Sequence, residues 1–136
     1  MAEDEGDWVV SFGAERALDV ARETVDDDAL LLCVVYDETE FRTMYVDERV
    51  DALYPDEDAR IEHFGQIHSY VHLDFTEREL FDELFLDPDG VRAFVTYMGT
   101  NIAIRVVTET EGVFLTVAPG TAVTPLVDAV EDVVTE

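Results

Sequence analysis

Residues 29–36 read ALLLCVVY, and the reading of this stretch decides the fold. The run is apolar throughout, rich in Val and Leu, and bounded by acidic residues on both sides. It is too short for a buried helix, and it lacks the two-residue alternation of a strand with one wet face. It therefore predicts a strand buried on both faces, and such a strand demands a sheet with cover on both sides.

Working outward, DETE (37–40) turns the chain into FRTMYV (41–46), a second strand. Upstream, SFGAERALDVARETV predicts a helix with Ser11 as N-cap and an apolar stripe of Ala14, Leu18, Ala21 and Val25. The acidic run at 26–28 ends it. Downstream comes a helical stretch of about forty residues, interrupted by Pro55. Near its end, TERE (76–79) reads as a capping box, Thr76 at the N-cap and Glu79 at N3, that starts a short helix ending near LDPDG (86–90). Pro88 and Gly90 supply the turn that follows. Three strands are then expected at 91–98, 101–108 and 112–118, with GT and ETEG between them short enough for hairpins. TPLVDAVEDVV closes the chain as a helix, Thr124 capping it and Pro125 at N1.

The fold class is thus α+β, in the order α-β-β-α-β-β-β-α: a five-stranded antiparallel sheet, the first strand central, with helices on both faces. All of residues 1–136 form one domain, residues 1–8 being a mobile acidic start. This order resembles the roadblock/longin and profilin-like domains, which place two strands, a helical crossover and three strands in one sheet. PAS- and GAF-like sensor domains share a five-stranded antiparallel sheet and are the runner-up. The roadblock resemblance implies scaffolding or switch regulation through protein contacts. Separately, VVYDETEFRTMYVDERVDALY (34–54) looks like a stretch of small haloarchaeal proteins, a likeness that implies no particular activity.

Charge sets the environment. Thirty-three Asp and Glu face eight basic residues, all of them Arg, for a formal charge of −25. Acidic residues are interleaved with Val, Leu, Ile and Phe, and 48% of the chain is hydrophobic, which favours a folded domain over a disordered tail. Self-repulsion on this scale is tolerable where salt screens it, the Debye length being roughly 3 Å at 1 M. The expectation is a halophilic, cytoplasmic protein of a haloarchaeon. Nucleic acid is an unfavourable partner, because phosphate neutralisation needs basic patches. No apolar run has the length of a membrane span, and the acidic N-terminus does not read as a secretory leader. The lone cysteine, Cys33, lies mid-strand and reads as a buried, apolar-like thiol.

Candidate chemistry is sparse. All three histidines, His63, His68 and His72, fall within IEHFGQIHSYVHLDF (61–75). On one continuous helix, Phe64, Ile67, Val71 and Phe75 form the apolar face, His63 lies at one edge, and His68 and His72 project together at the other. Two histidines four residues apart have the spacing to share a metal ion. The Glu that follows the first His in metalloproteases is absent, Ser69 standing there, and a third ligand would come from Cys33, Asp74 or a distant carboxylate. The competing reading makes these residues half-buried boundary groups, hydrogen-bonded to nearby carboxylates. Neither Ser11 nor Ser69 sits in a nucleophile context, and GTN (99–101) and PGT (119–121) are turns rather than phosphate loops. No catalytic residue and no cofactor is expected. Tyr54, Phe64, Tyr70, Phe75, Phe81 and Phe85 crowd the middle segment; they read first as large residues filling a small core, and any surplus beyond one sheet face would line a ligand pocket or cover a partner.

The leading expectation is a non-enzymatic interaction or regulatory module, a homodimer through the middle helix or the edge strand at 91–98. A small-molecule sensor with an aromatic-lined pocket is the alternative. A metal-binding protein using His68 and His72 is the third.

Overall fold

A computed structural model describes residues 9–86 and 90–135. The expected mobile start at 1–8 and the turn residue Pro88 lie outside them. Five strands form one sheet: β1 (Leu30–Asp37), β2 (Phe41–Val46), β3 (Ala93–Tyr97), β4 (Ile102–Val107) and β5 (Glu111–Val117). The helices are α1 (Ala14–Thr24), α2 (Glu48–Asp51), α3 (Glu57–His68), α4 (His72–Leu84) and α5 (Val123–Val134).

The strands run in the order β2-β1-β5-β4-β3, every neighbouring pair antiparallel. The middle position belongs to β5, not to β1 as the apolar run suggested. The crossover through α2–α4 carries the chain to the far edge, so β3 starts there. The β3–β4–β5 meander then walks back until β5 closes on the free side of β1. Both β1 and β5 are interior, and residues 32–36 of β1 are buried without alternation because both faces are covered. β2 and β3 are the edges.

α1 and α5 pack on one face, over Cys33, Val35, Ile104, Val113 and Leu115. Ala17 and Ala21 have no exposed surface, and their small side chains let the backbone of α1 approach α5 closely. The other face carries α3 and α4, and Phe64 of α3, Val71 of the turn between them and Phe75 of α4 cover Leu32, Val34 and Tyr36. Among the described residues no helix is long and apolar enough to cross a membrane.

Several helix boundaries differ from the sequence reading. Ser11 does not cap α1; Gly13 holds that position. The Ser11 N–H and Oγ instead both donate to the Glu111 carboxylate at 2.8 Å, tying the chain before α1 to the start of β5. Thr76 lies inside α4, where its Oγ1 donates to the His72 carbonyl at 2.9 Å, a bond back along the helix rather than a cap. The N-cap of α5 is Ala122, so Thr124 and Pro125 fall at the second and third helical positions, still in the turn whose N–H groups have no intrahelical partner. At the end of α1 the acidic run acts as expected. Asp28 adopts φ 68°, a left-handed conformation that Asp tolerates, and reverses the chain into β1.

Candidate functional site

The middle segment is three helices, and the last break falls at Ser69–Val71, inside the 61–75 stretch read as one helix, rather than at Thr76. α3 stops at His68, a turn spans Ser69–Val71, and α4 starts at His72. The three histidines are thereby dispersed. His63 sits with its Nδ1 2.6 Å from the Tyr54 hydroxyl. The His68 Nε2–H donates to the Asp37 carbonyl at 2.8 Å, its ring lying between Tyr36 and Phe41. His72 is exposed at the start of the next helix. The partners are a phenol and a backbone carbonyl, where the sequence suggested carboxylates. Among the described residues no group of three His, Cys, Asp or Glu is placed to hold a metal ion. Ile67 stays about half exposed, so the buried face is Phe64, Val71 and Phe75.

Cys33 is fully buried, and burial pushes its thiol up to about 12 against a smaller opposing pull from Arg22. It remains a thiol at neutral pH and packs as an apolar group.

What the elbow between α3 and α4 creates is a groove of about 370 Å³. Its floor is the sheet face: Val34 and Tyr36 of β1, Phe114 of β5, Ala103 and Arg105 of β4, Thr96 of β3. Its walls are Phe64, Ile67 and His68 on one side and Leu73, Asp74 and Glu77 on the other. At the β3 end the groove is bordered by the exposed Thr96 and Met98, while further along α4 Phe81 packs against Phe94 of β3, ring centres 6.1 Å apart.

At the base lies a charged cluster that the sequence reading does not single out. Asp74 is the one buried charged residue among those described. Tyr36 donates its hydroxyl to Asp74 Oδ2 at 3.0 Å, and Arg105 Nη1 donates to Oδ1. The Arg105 guanidinium in turn lies 4.9 Å from the centre of the Phe94 ring, a cation–π contact. Burial raises the Asp74 carboxyl above its ordinary range, opposed by the Arg105 charge and the two hydrogen bonds. Burial, then the Asp74 charge, raises the Tyr36 phenol. Both carboxylate oxygens are engaged and the phenol keeps its proton, so the cluster fixes α4 to the sheet and orients Arg105 rather than offering a base. Two signals in the sequence point here. Arg105 is the only charge within IAIRVV, and Asp74 falls between Val71 and Phe75 on the buried side of its helix.

Of the six aromatics of the middle segment, Phe64 and Phe75 are buried, Tyr54 and Phe81 are half-buried, and only Tyr70 and Phe85 are exposed. Tyr97 is exposed as well, and so are Leu73, Leu80 and Leu84, which recur on one face of α4. Among the described residues β3 pairs only with β4 and presents its other edge unpaired, with Val95 and Tyr97 exposed on this strand.

No family model and no curated protein sequence matches the chain. Among solved structures, the gliding protein MglB from Thermus thermophilus is similar, with a TM-score of 0.53 at 11% identity, over 93% of this chain and 96% of that one. The fold is of the roadblock/longin type.

Proposed function

We propose that this chain is a non-enzymatic protein-interaction or regulatory module that works as a homodimer in the salt-rich cytoplasm of a haloarchaeon. The observation that carries the reading is the unpaired β3 edge beside the exposed Leu73, Leu80 and Leu84 face of α4. An open edge offers a row of backbone donors and acceptors to a second strand. The adjoining apolar helix face adds the dry area that edge pairing alone lacks, a stable interface needing roughly 800 Å² per partner. The structural likeness to MglB supports the fold on which such an interface is built. Light scattering in molar KCl tests the proposal: wild type runs at twice the chain mass, and Leu80→Glu/Leu84→Glu runs at the chain mass with its secondary structure unchanged. A wild-type monomer under these conditions overturns it.

The groove supports a second reading, a small-molecule sensor, because a concave apolar site with a few fixed polar groups suits a ligand. Metal binding at His68 and His72 is a third reading. A zinc titration that separates wild type from His68→Ala/His72→Ala would establish it.

A further inference from the structure

The groove is closed on the sheet side and bordered at the β3 end by the exposed Thr96 and Met98, and its surface is almost wholly apolar. Aromatic rings from three elements, Tyr36, Phe64 and Phe114, meet in it. A ligand seated there is therefore a mainly hydrophobic body that lies against ring faces. Three charges touch the same space, and they do not cancel. Asp74 and Arg105 neutralise each other by their ion pair. Glu77, one turn further along α4, has no cation within ion-pairing distance among the described residues, and its charge adds to that of Asp74. The groove thus carries one uncompensated negative charge at its wall, inside a chain whose net charge is −25. An anionic ligand meets repulsion from Glu77 at contact range, where molar salt screens least, and it finds Arg105 already engaged. A cation finds a carboxylate at the wall and electron-rich ring faces below it.

We infer that the groove binds a small hydrophobic cation, an aromatic or alkyl body bearing a protonated amine, with the body on Tyr36, Phe64 and Phe114 and the ammonium at Glu77. The inference rests on the sensor reading for the existence of a ligand and adds its chemical class. It overlaps the proposed dimer face, because Leu73 belongs to both and Glu77 shares the α4 stripe of Leu73, Leu80 and Leu84, so a ligand and a second copy compete for this side of α4.

Three probes of matched body separate these claims: 4-phenylbutylamine, 4-phenylbutanol and 4-phenylbutyrate, titrated into the full chain in molar KCl and followed by amide NMR shifts. The amine is expected to bind tightest, about twofold ahead of the alcohol as one half-exposed ion pair allows in molar salt, with the carboxylate weakest. Shifts are expected at Tyr36, Ala103 and Phe114. Glu77→Gln, on an accessible helix face that tolerates the change, brings the amine down to the level of the alcohol and leaves the alcohol unaffected. Glu77→Lys reverses the order of amine and carboxylate. If all three probes bind equally, or the carboxylate binds best to wild type, the class is wrong while the sensor reading stands. If no probe shifts the groove resonances, both fall. Binding of the probes only to Leu80→Glu/Leu84→Glu monomers assigns the groove to the second copy of the chain and likewise overturns the inference.

Discussion

Asp74 shows how much one side chain does in this molecule. It is the point at which α4, β1 and β4 are joined by hydrogen bonds. Truncation to Ala leaves the Tyr36 hydroxyl and the Arg105 guanidinium without their partner in an apolar setting. Asp74→Ala is expected to lower stability by about 2–4 kcal/mol, read from urea midpoints in molar KCl. The pH dependence has a definite sign. Burial raises the folded carboxyl above the ordinary 3.8, so the folded state holds the proton more tightly than the unfolded chain. Asp74 accordingly contributes stability below the unfolded value and loses it as pH rises through the raised one. Asp74→Asn keeps a neutral group there, and its midpoint is expected to gain on wild type as pH rises through that acidic window. A constant difference between the two across it contradicts the assignment. Asp47, which the Arg49 side chain holds low, acts in the opposite direction and belongs to both proteins. None of this is legible from composition, because one buried Asp among thirty-three acidic residues carries no compositional mark. The placement of Arg105 inside an apolar strand is the usable clue.

At the scale of the element, the join between β1 and β5 depends on a missing side chain. Gly112 faces Tyr36 across the ladder, and a Cβ at 112 would lie 2.5 Å from the end of the Tyr36 ring. The ring is buried and held at its hydroxyl by Asp74, so it has little room to yield. Gly112→Ala is expected to cost about 1–3 kcal/mol by crowding, which outweighs the roughly 0.5–1 kcal/mol that Ala ordinarily gains over Gly in a strand. Combining it with Tyr36→Leu removes the clash, and the two changes should be strongly non-additive in thermal midpoints. Additive losses would mean that the glycine serves some other purpose. Strands are the legible part of the chain because short apolar runs between turn residues mark them. Sheet order is less so: the unalternating run at 29–36 reveals an interior strand, but β5 is equally interior. The helix caps depart from the sequence reading because Ser11 and Thr76 find other acceptors, in Glu111 and in the His72 carbonyl. The α3–α4 break leaves no sequence signal because residues 69–71 contain neither Gly nor Pro, and the pattern of Phe64, Val71 and Phe75 runs smoothly across it.

For the whole molecule, charge decides the conditions under which any of this holds. A formal charge of −25 on 136 residues opposes compaction, and screening by molar salt relieves it. Ellipticity in the far ultraviolet is expected to rise cooperatively with KCl; a fully folded chain in salt-free buffer would remove the case for a salt-rich home. The two faces of the sheet are also unequal partners. Under α1 and α5 lies a continuous apolar core that includes Ile104, Leu115, Leu126 and Val130, all without exposed surface. Under α3 and α4 only Phe64, Val71, Asp74 and Phe75 are buried on the helical side. A layer held by so few side chains opens at lower free energy than the rest. Amide hydrogen exchange should therefore show two populations: α3 and α4 losing protection early and together, and β1, β4 and β5 with the terminal helices persisting until global unfolding. The same chain would then be two things at once, a durable half that keeps its shape and a thin, detachable half that a partner or ligand can hold down or lift away.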